Sequence, residues 1–446
     1  MPATTRPATT PPAATARRRA TRLLGASTLA VALLGAAACQ DAGPGGPTAG
    51  SASSTAASST ATSTATTSRP TASRPTASTG SPTSTTSTTT HAASCAERLA
   101  ASLTPSQRVG QLLMVGLQPT GSSRALARQV ARDHLGGVIY LGGWQGSATV
   151  RQVSQRLQQA TGTGRAATGG VGLLIAADQE GGEVQQLRGD GFTRIPSART
   201  QATMGTTALQ ASVRGWSREI ARAGVNVNLA PVADTVPTSL GAANDPIGRH
   251  RRDFVPGDPD ANGRYAAAFV RGSLAADVAP TVKHFPGLGR VTGNTDLTAS
   301  GTTDRTASPT DPYLGPFRDG IRAGAPLVMV SSARYPGLDP DHRAMFSKAI
   351  VTDLLRNRLG FDGVAITDDV GAAKAVAAVP VGERATRFIA AGGDVVLTAD
   401  AAQAPAMRAA ITARMKASPS FNRQVDASVL RVLALKTRLG LASCGG

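Results

Sequence analysis

Eight short apolar runs recur between residues 111 and 398, at 111–116, 137–141, 172–177, 225–232, 278–284, 326–331, 363–367 and 394–398. Most are separated by stretches of helical period, at 208–223, 263–275, 313–323, 347–359 and 381–391. Repeated strand-helix units of this kind predict an α/β fold, a single (β/α)₈ TIM-like barrel. An open doubly wound sheet is the alternative, because periodicity alone does not establish closure. Ahead of the first strand, Thr104 and Pro105 supply an N-cap and a first helical residue. The last helical stretch, 424–439, runs straight to Cys444, so residues 94–446 are expected to form one domain with no second folded unit.

The rest of the chain cannot join that core. Of 446 residues 41% are hydrophobic and 49 are glycine, enough for one large domain with flanks. Residues 1–38 read as an export signal: Arg17, Arg18, Arg19 and Arg22 precede an apolar, small-residue segment ending in Ala36-Ala37-Ala38-Cys39. The ending resembles a bacterial lipobox, although Ala36 stands where that motif prefers Leu, so Cys39 is the expected lipidation site and plain secretion the alternative. Residues 39–93 are Ser, Thr, Ala, Pro and Gly with almost no large apolar side chain, and read as a flexible tether. The expected location is therefore the extracytoplasmic face of a bacterial cell membrane, held by a lipid anchor. Cys95 and Cys444 then remain, flanking the folded region, and in an oxidising compartment they are expected to pair; two free thiols are the alternative.

The net charge is +18, carried mostly by scattered arginines without Lys-rich runs, and aromatic content is 3%. That pattern argues against a nucleic-acid surface and fits attraction to an anionic envelope. The five histidines, His91, His134, His250, His284 and His342, are scattered without a His-x-His pair, so neither a metal nor a cofactor is expected. A monomer is expected.

Chemistry gathers at the C-terminal ends of the strands. These carry Asp178-Gln-Glu-Gly-Gly, Asn228 to Asp234, Lys283-His284-Phe-Pro-Gly, Ser331-Ser332 and Asp368-Asp369. A lone strand-end Asp is as often a cap for the following helix. So many polar residues at one barrel face point instead to a ligand site.

These motifs, in this order, resemble the barrel domain of glycoside hydrolase family 3 over residues 103–441, and within it the single-domain bacterial β-N-acetylhexosaminidases. The resemblance implies a retaining exo-β-glycosidase acting on N-acetylglucosaminides of cell-wall or chitin type. It implies Asp368 as the nucleophile, with Asp369 the neighbour to be told apart from it. It also implies that Asp178, Lys283 and His284 hold the terminal sugar, joined by Arg252, whose segment 247–254 is two residues longer than the usual pattern. Interior packing is the plain alternative for His284.

One loop departs from the family. Where a catalytic Asp-Ser-His is expected, this chain has Asn294-Thr295-Asp296, and Leu288, Arg290 and Gln186 replace an expected His, Asp and Arg. Three outcomes follow. Asp296 acts as the acid/base, oriented by the Asn294 amide; another residue does so; or the protein is a carbohydrate-binding lipoprotein with a degenerate catalytic loop.

Overall fold

In the computed structural model, which describes residues 93–164 and 167–444, the apolar runs become eight parallel strands: β1 (Leu113–Leu117), β2 (Gly137–Tyr140), β3 (Leu174–Ala177), β4 (Val227–Asn228), β5 (Ala279–Phe285), β6 (Leu327–Val330), β7 (Val364–Thr367) and β8 (Val396–Thr398). Each pairs with the next in sequence, and β1 pairs with β8 through Leu113 and Val396. A single parallel bridge from Ile366 to Val395 joins β7 to the start of β8 and completes the ring. The fold is a (β/α)₈ barrel. The segment 1–38, Cys39 and the tether up to residue 92 lie outside the described residues.

The strands are buried along almost their whole length, Val, Ile, Leu and Ala filling the interior while outer helices cover the other face. Those helices include Ser123–Asp133, Ser147–Gln159, Thr206–Arg222, Pro259–Leu274, Gly315–Arg322, Val381–Ala390, Ala404–Ala417 and Pro419–Arg438, with a π-helical segment at Ala349–Arg358. Thr104 caps helix Pro105–Gly110 by accepting from the Gln107 N–H at 3.2 Å, and the Gln107 side chain accepts from the Thr104 N–H at 2.9 Å.

The expected strand at 225–232 is the one that fails to run its length. Its regular ladder is confined to Val227–Asn228, with one further bond from the Leu229 N–H to the Ala177 carbonyl at 2.9 Å, and Pro231 beyond has no N–H to give. Isolated bonds to β5 continue past the ladder: the Ala230 carbonyl accepts the Thr281 N–H at 2.9 Å, the Pro231 carbonyl accepts the Lys283 N–H at 3.1 Å, and the Ala233 N–H donates to the Lys283 carbonyl at 2.7 Å, beside a bridge from Val232 to Lys283. The irregular segment leaves Asp234 beside the end of β5.

The closing side of the ring is tied at its base. Cys95 and Cys444 form a disulfide with 5.6 Å between their Cα atoms. Lys436, fully buried on the last helix, donates to the Gln111 side chain at 2.5 Å and to the Gly136 carbonyl at 2.8 Å. Burial without a counter-charge pulls its ammonium down to about 7.

Candidate active site

The ends of β3, β5 and β7 open into one pocket of about 550 Å³. Its floor is a chain of charges. Lys283, 2% exposed, lies near the end of β5 and needs counter-charges to remain buried as a cation. It donates to Asp178 at 2.5 Å and lies 2.6 Å from Glu180. Glu180 accepts a second cation, Arg252, in a two-point fork at 2.9 and 2.8 Å. Burial alone would raise the Glu180 carboxyl, but Arg252 and then Lys283 outweigh it and hold the group down at about 2. Burial likewise opposes the charge on Lys283, and Asp178 and Glu180 overcome it, so its pKa is raised.

His284 stands next to this chain. Its Nδ1 is 2.7 Å from the Asp234 carboxylate, and Arg252 lies 3.4 Å from its Nε2. Asp234 is fully buried and also accepts the Leu288 N–H at 2.7 Å and the His284 N–H at 3.2 Å, so it fixes both the ring and the turn that follows. That turn packs tightly: a Cβ on Gly289 would come within 1.7 Å of the Thr235 carbonyl oxygen.

The two adjacent aspartates after β7 separate cleanly. Asp369 accepts the N–H groups of Gly371 and Ala399 at 2.7 Å and of Ala372 at 3.0 Å, which makes it the organiser of the turn. Asp368 lines the pocket, accepts only the Asp369 N–H at 2.9 Å, and has no cationic partner among the described residues. Across the pocket stands Asp296, on the loop after β5. The residue is exposed at the mouth, but loss of water around its carboxyl, then the charges of Asp368 and Asp369, push the group up to about 7. The expected orienting bond from the Asn294 amide is not formed; the Asn294 side-chain Oδ1 instead accepts the Asp296 N–H at 3.0 Å, a local turn that fixes the loop's own backbone. The loop is held from the other side, where the carbonyls of Thr295 and Asp296 accept the N–H groups of Ala375 at 3.0 Å and Lys374 at 3.2 Å.

Asp178, Arg252, Lys283, His284, Asp296 and Asp368, the residues singled out in the sequence, thus share one pocket. Sequence reasoning passed over Glu180 and Asp234, although both sit in strand-end runs already conspicuous for their polarity. Of the unexpected residues, Arg290 turns away to pair with Asp304 and Asp311 and stack 4.4 Å over Tyr313, and Leu288 is packed into the core. Gln186 lines the pocket and accepts the Gly143 N–H at 3.1 Å. Among the described residues, no group of three or more His, Cys, Asp or Glu side chains is placed to hold a metal ion.

Known proteins show the same frame. A beta-N-acetylhexosaminidase from Beutenbergia cavernae superimposes with a TM-score of 0.72 at 45% identity, covering 75% of this chain and 99% of that one. A glycoside hydrolase family 3 beta-N-acetylglucosaminidase from Paenibacillus matches at TM-score 0.66 and 30% identity, over 76% of this chain and 63% of its own. The beta-hexosaminidase LpqI of Mycobacterium tuberculosis is 31% identical over 356 residues, 77% of this chain and 86% of that protein. A beta-hexosaminidase of Stenotrophomonas maltophilia is 36% identical over 231 residues, half of this chain and 66% of the relative. The model of the glycosyl hydrolase family 3 N-terminal domain matches residues 104–435. With the motifs at its strand ends and a match across nearly the whole barrel, the chain belongs to glycoside hydrolase family 3.

Proposed function

We propose that this protein is a retaining exo-β-glycosidase, a β-N-acetylhexosaminidase acting on N-acetylglucosaminides of cell-wall or chitin-type fragments. The observation that carries the reading is the pair of carboxyls across one pocket, Asp368 free of any cation and Asp296 raised to about 7. Retaining hydrolysis needs such a division of labour. An Asp368 oxygen attacks the anomeric carbon while Asp296 gives its proton to the departing glycosidic oxygen, leaving a covalent glycosyl-enzyme. Water then attacks the same carbon, Asp296 takes its proton, and Asp368 leaves; two inversions retain the configuration. The floor supplies charge-assisted contacts for the terminal sugar through Asp178, Arg252, Lys283 and His284. No step needs a cofactor.

The resemblance to family 3 hexosaminidases and the names of the relatives support the N-acetylglucosaminide preference. An aryl β-N-acetylglucosaminide tests it: the expected result is turnover, abolished in Asp368→Asn. Tight sugar binding without turnover would mark a binding protein instead.

The signal-like segment 1–38 and the Cys39 that ends it support export and lipid anchoring on the extracytoplasmic face. Among the described residues, no helix is long and apolar enough to cross a membrane. Fractionation of cells carrying Cys39→Ala is expected to move the protein out of the membrane, and a variant that stays wholly membrane-bound rules this anchor out. The barrel is proposed to work as a monomer, which sedimentation of the soluble variant checks.

A further inference from the structure

Two groups line the mouth of the pocket without a part in the mechanism above, His250 and Glu183. They reach it from different elements, Glu183 from the turn after β3 and His250 from the lengthened segment between β4 and β5. Their side chains meet with 2.5 Å between His250 Nδ1 and Glu183 Oε2, 67 residues apart in the chain. Both remain partly open, with 34% of the imidazole and 69% of the carboxylate side chain accessible.

A carboxylate can only accept, so the bond places a proton on Nδ1 and leaves Nε2 as the ring's second polar atom. Among the described residues Nε2 has no partner, in contrast to every charged group on the floor. A floor group held by buried counter-charges recognises the sugar that is fully enclosed. A held imidazole at the rim faces whatever extends out of the pocket, which for an exo-acting enzyme is the leaving group. The segment carrying His250 is also braced against the Asp296 loop, because the Asn244 side chain donates to the carbonyls of Leu288 at 2.8 Å and Val291 at 2.7 Å and accepts the Ile247 and Gly248 N–H groups at 3.0 and 2.7 Å. The imidazole is therefore fixed relative to the position where the glycosidic oxygen would be protonated.

We infer that His250, oriented by Glu183, binds the leaving-group side of the substrate by a hydrogen bond between Nε2 and a hydroxyl, which can donate or accept, and so selects a sugar aglycone over a simple aryl or alkyl one. This rests on the glycosidase reading. The aglycone is a neutral, hydroxyl-bearing sugar, since a carboxylate there would be repelled by Glu183 beside the ring and by Asp368 within the same pocket. His250 is a binding residue and Glu183 a positioning residue acting through it.

The test compares two substrates with the same terminal sugar, N,N′-diacetylchitobiose and an aryl β-N-acetylglucosaminide, in the wild type, His250→Ala, His250→Gln, Glu183→Ala and Glu183→Gln. Loss of one neutral hydrogen bond is expected to lower the ratio of kcat/KM for disaccharide over aryl glycoside about 3- to 10-fold in His250→Ala, mostly through KM. Glu183→Ala is expected to lose part of the same ratio. Glu183→Gln, whose amide oxygen still accepts from Nδ1, and His250→Gln, which restores an acceptor near Nε2, should recover it. An unchanged ratio in His250→Ala overturns the inference, and so does an equal loss on both substrates, which would place His250 on the terminal sugar or in the proton transfer. A wild type inactive on both substrates overturns the glycosidase reading and this inference together; activity with an unchanged ratio overturns this inference alone.

Discussion

The floor and the rim of the pocket use the same residue types in opposite ways. On the floor, Lys283, Glu180 and Asp234 are buried, Arg252 and Asp178 half-buried, and all are interlocked, so every charge is already answered by another protein group. At the rim, Asp296 stands where solvent and substrate can change its state, and His250 keeps an open ring nitrogen. In the proposed mechanism the interlocked array recognises the sugar and the carboxyl at the rim transfers the proton. The contrast fits a sequence change in the loop after β5 beside a floor that keeps the residues proposed to hold the sugar.

The comparison breaks most severely at the group that belongs to neither set. Replacing Asp368 with Asn removes the attacking oxygen, and kcat is expected to fall by on the order of 10⁴-fold for every substrate while sugar binding survives. Steady-state kinetics with a binding measurement checks both halves.

At the rim, Asp296→Ala is expected to slow disaccharide hydrolysis by roughly 10²- to 10⁴-fold. An activated phenol leaves without a proton, so its release should be nearly spared, and azide should accelerate the second step. The carboxyl is raised above its usual range, so the acid form is present below pH of about 7 and lost above it. The disaccharide kcat should therefore fall as pH rises through that value, and this limb should vanish in Asp296→Ala. A variant that loses nothing on the disaccharide would make Asp296 an ordinary loop residue.

On the floor, Glu180→Ala leaves Arg252 without its carboxylate and Lys283 with Asp178 alone, and removing one partner of a buried pair costs about 3–5 kcal/mol. Chemical denaturation should show that loss near neutral pH. The carboxyl is depressed from 4.5 to about 2, so its stabilising contribution is complete above about pH 4.5 and disappears as pH falls through 2. Wild type and variant should converge there. The smallest effect is expected at the base of the barrel, where Cys95→Ala should lower stability by about 2–4 kcal/mol and leave kcat unchanged.

Much of the barrel was legible because strands buried on both faces are written as continuous apolar runs. The run at 225–232 misled because Pro231 removes a ladder donor without interrupting hydrophobicity. Strand-end chemistry was legible residue by residue, but its pairing was not. Arg252 and Glu180 are 72 positions apart, and only the barrel's curvature brings them together. The adjacent Asp368 and Asp369 are told apart by the N–H groups that Asp369 accepts, two local ones from Gly371 and Ala372 and a third from Ala399, supplied from beyond β8. The Asn294 side chain was open to two uses in sequence, and the turn chemistry of its own loop took it.

The ring closes between its first strand and its last, and this sets an order of events. β1 has one neighbour in β2, but its other edge must wait for Val396, and the props beneath it come from Lys436 and Cys444. A chain emerging from its N-terminus therefore carries an unsatisfied β1 edge through most of its synthesis, the kind of long-range pairing that folds slowly. Truncation ahead of Val396 would leave β1 and β7 as two open edges, each a template for pairing with another chain.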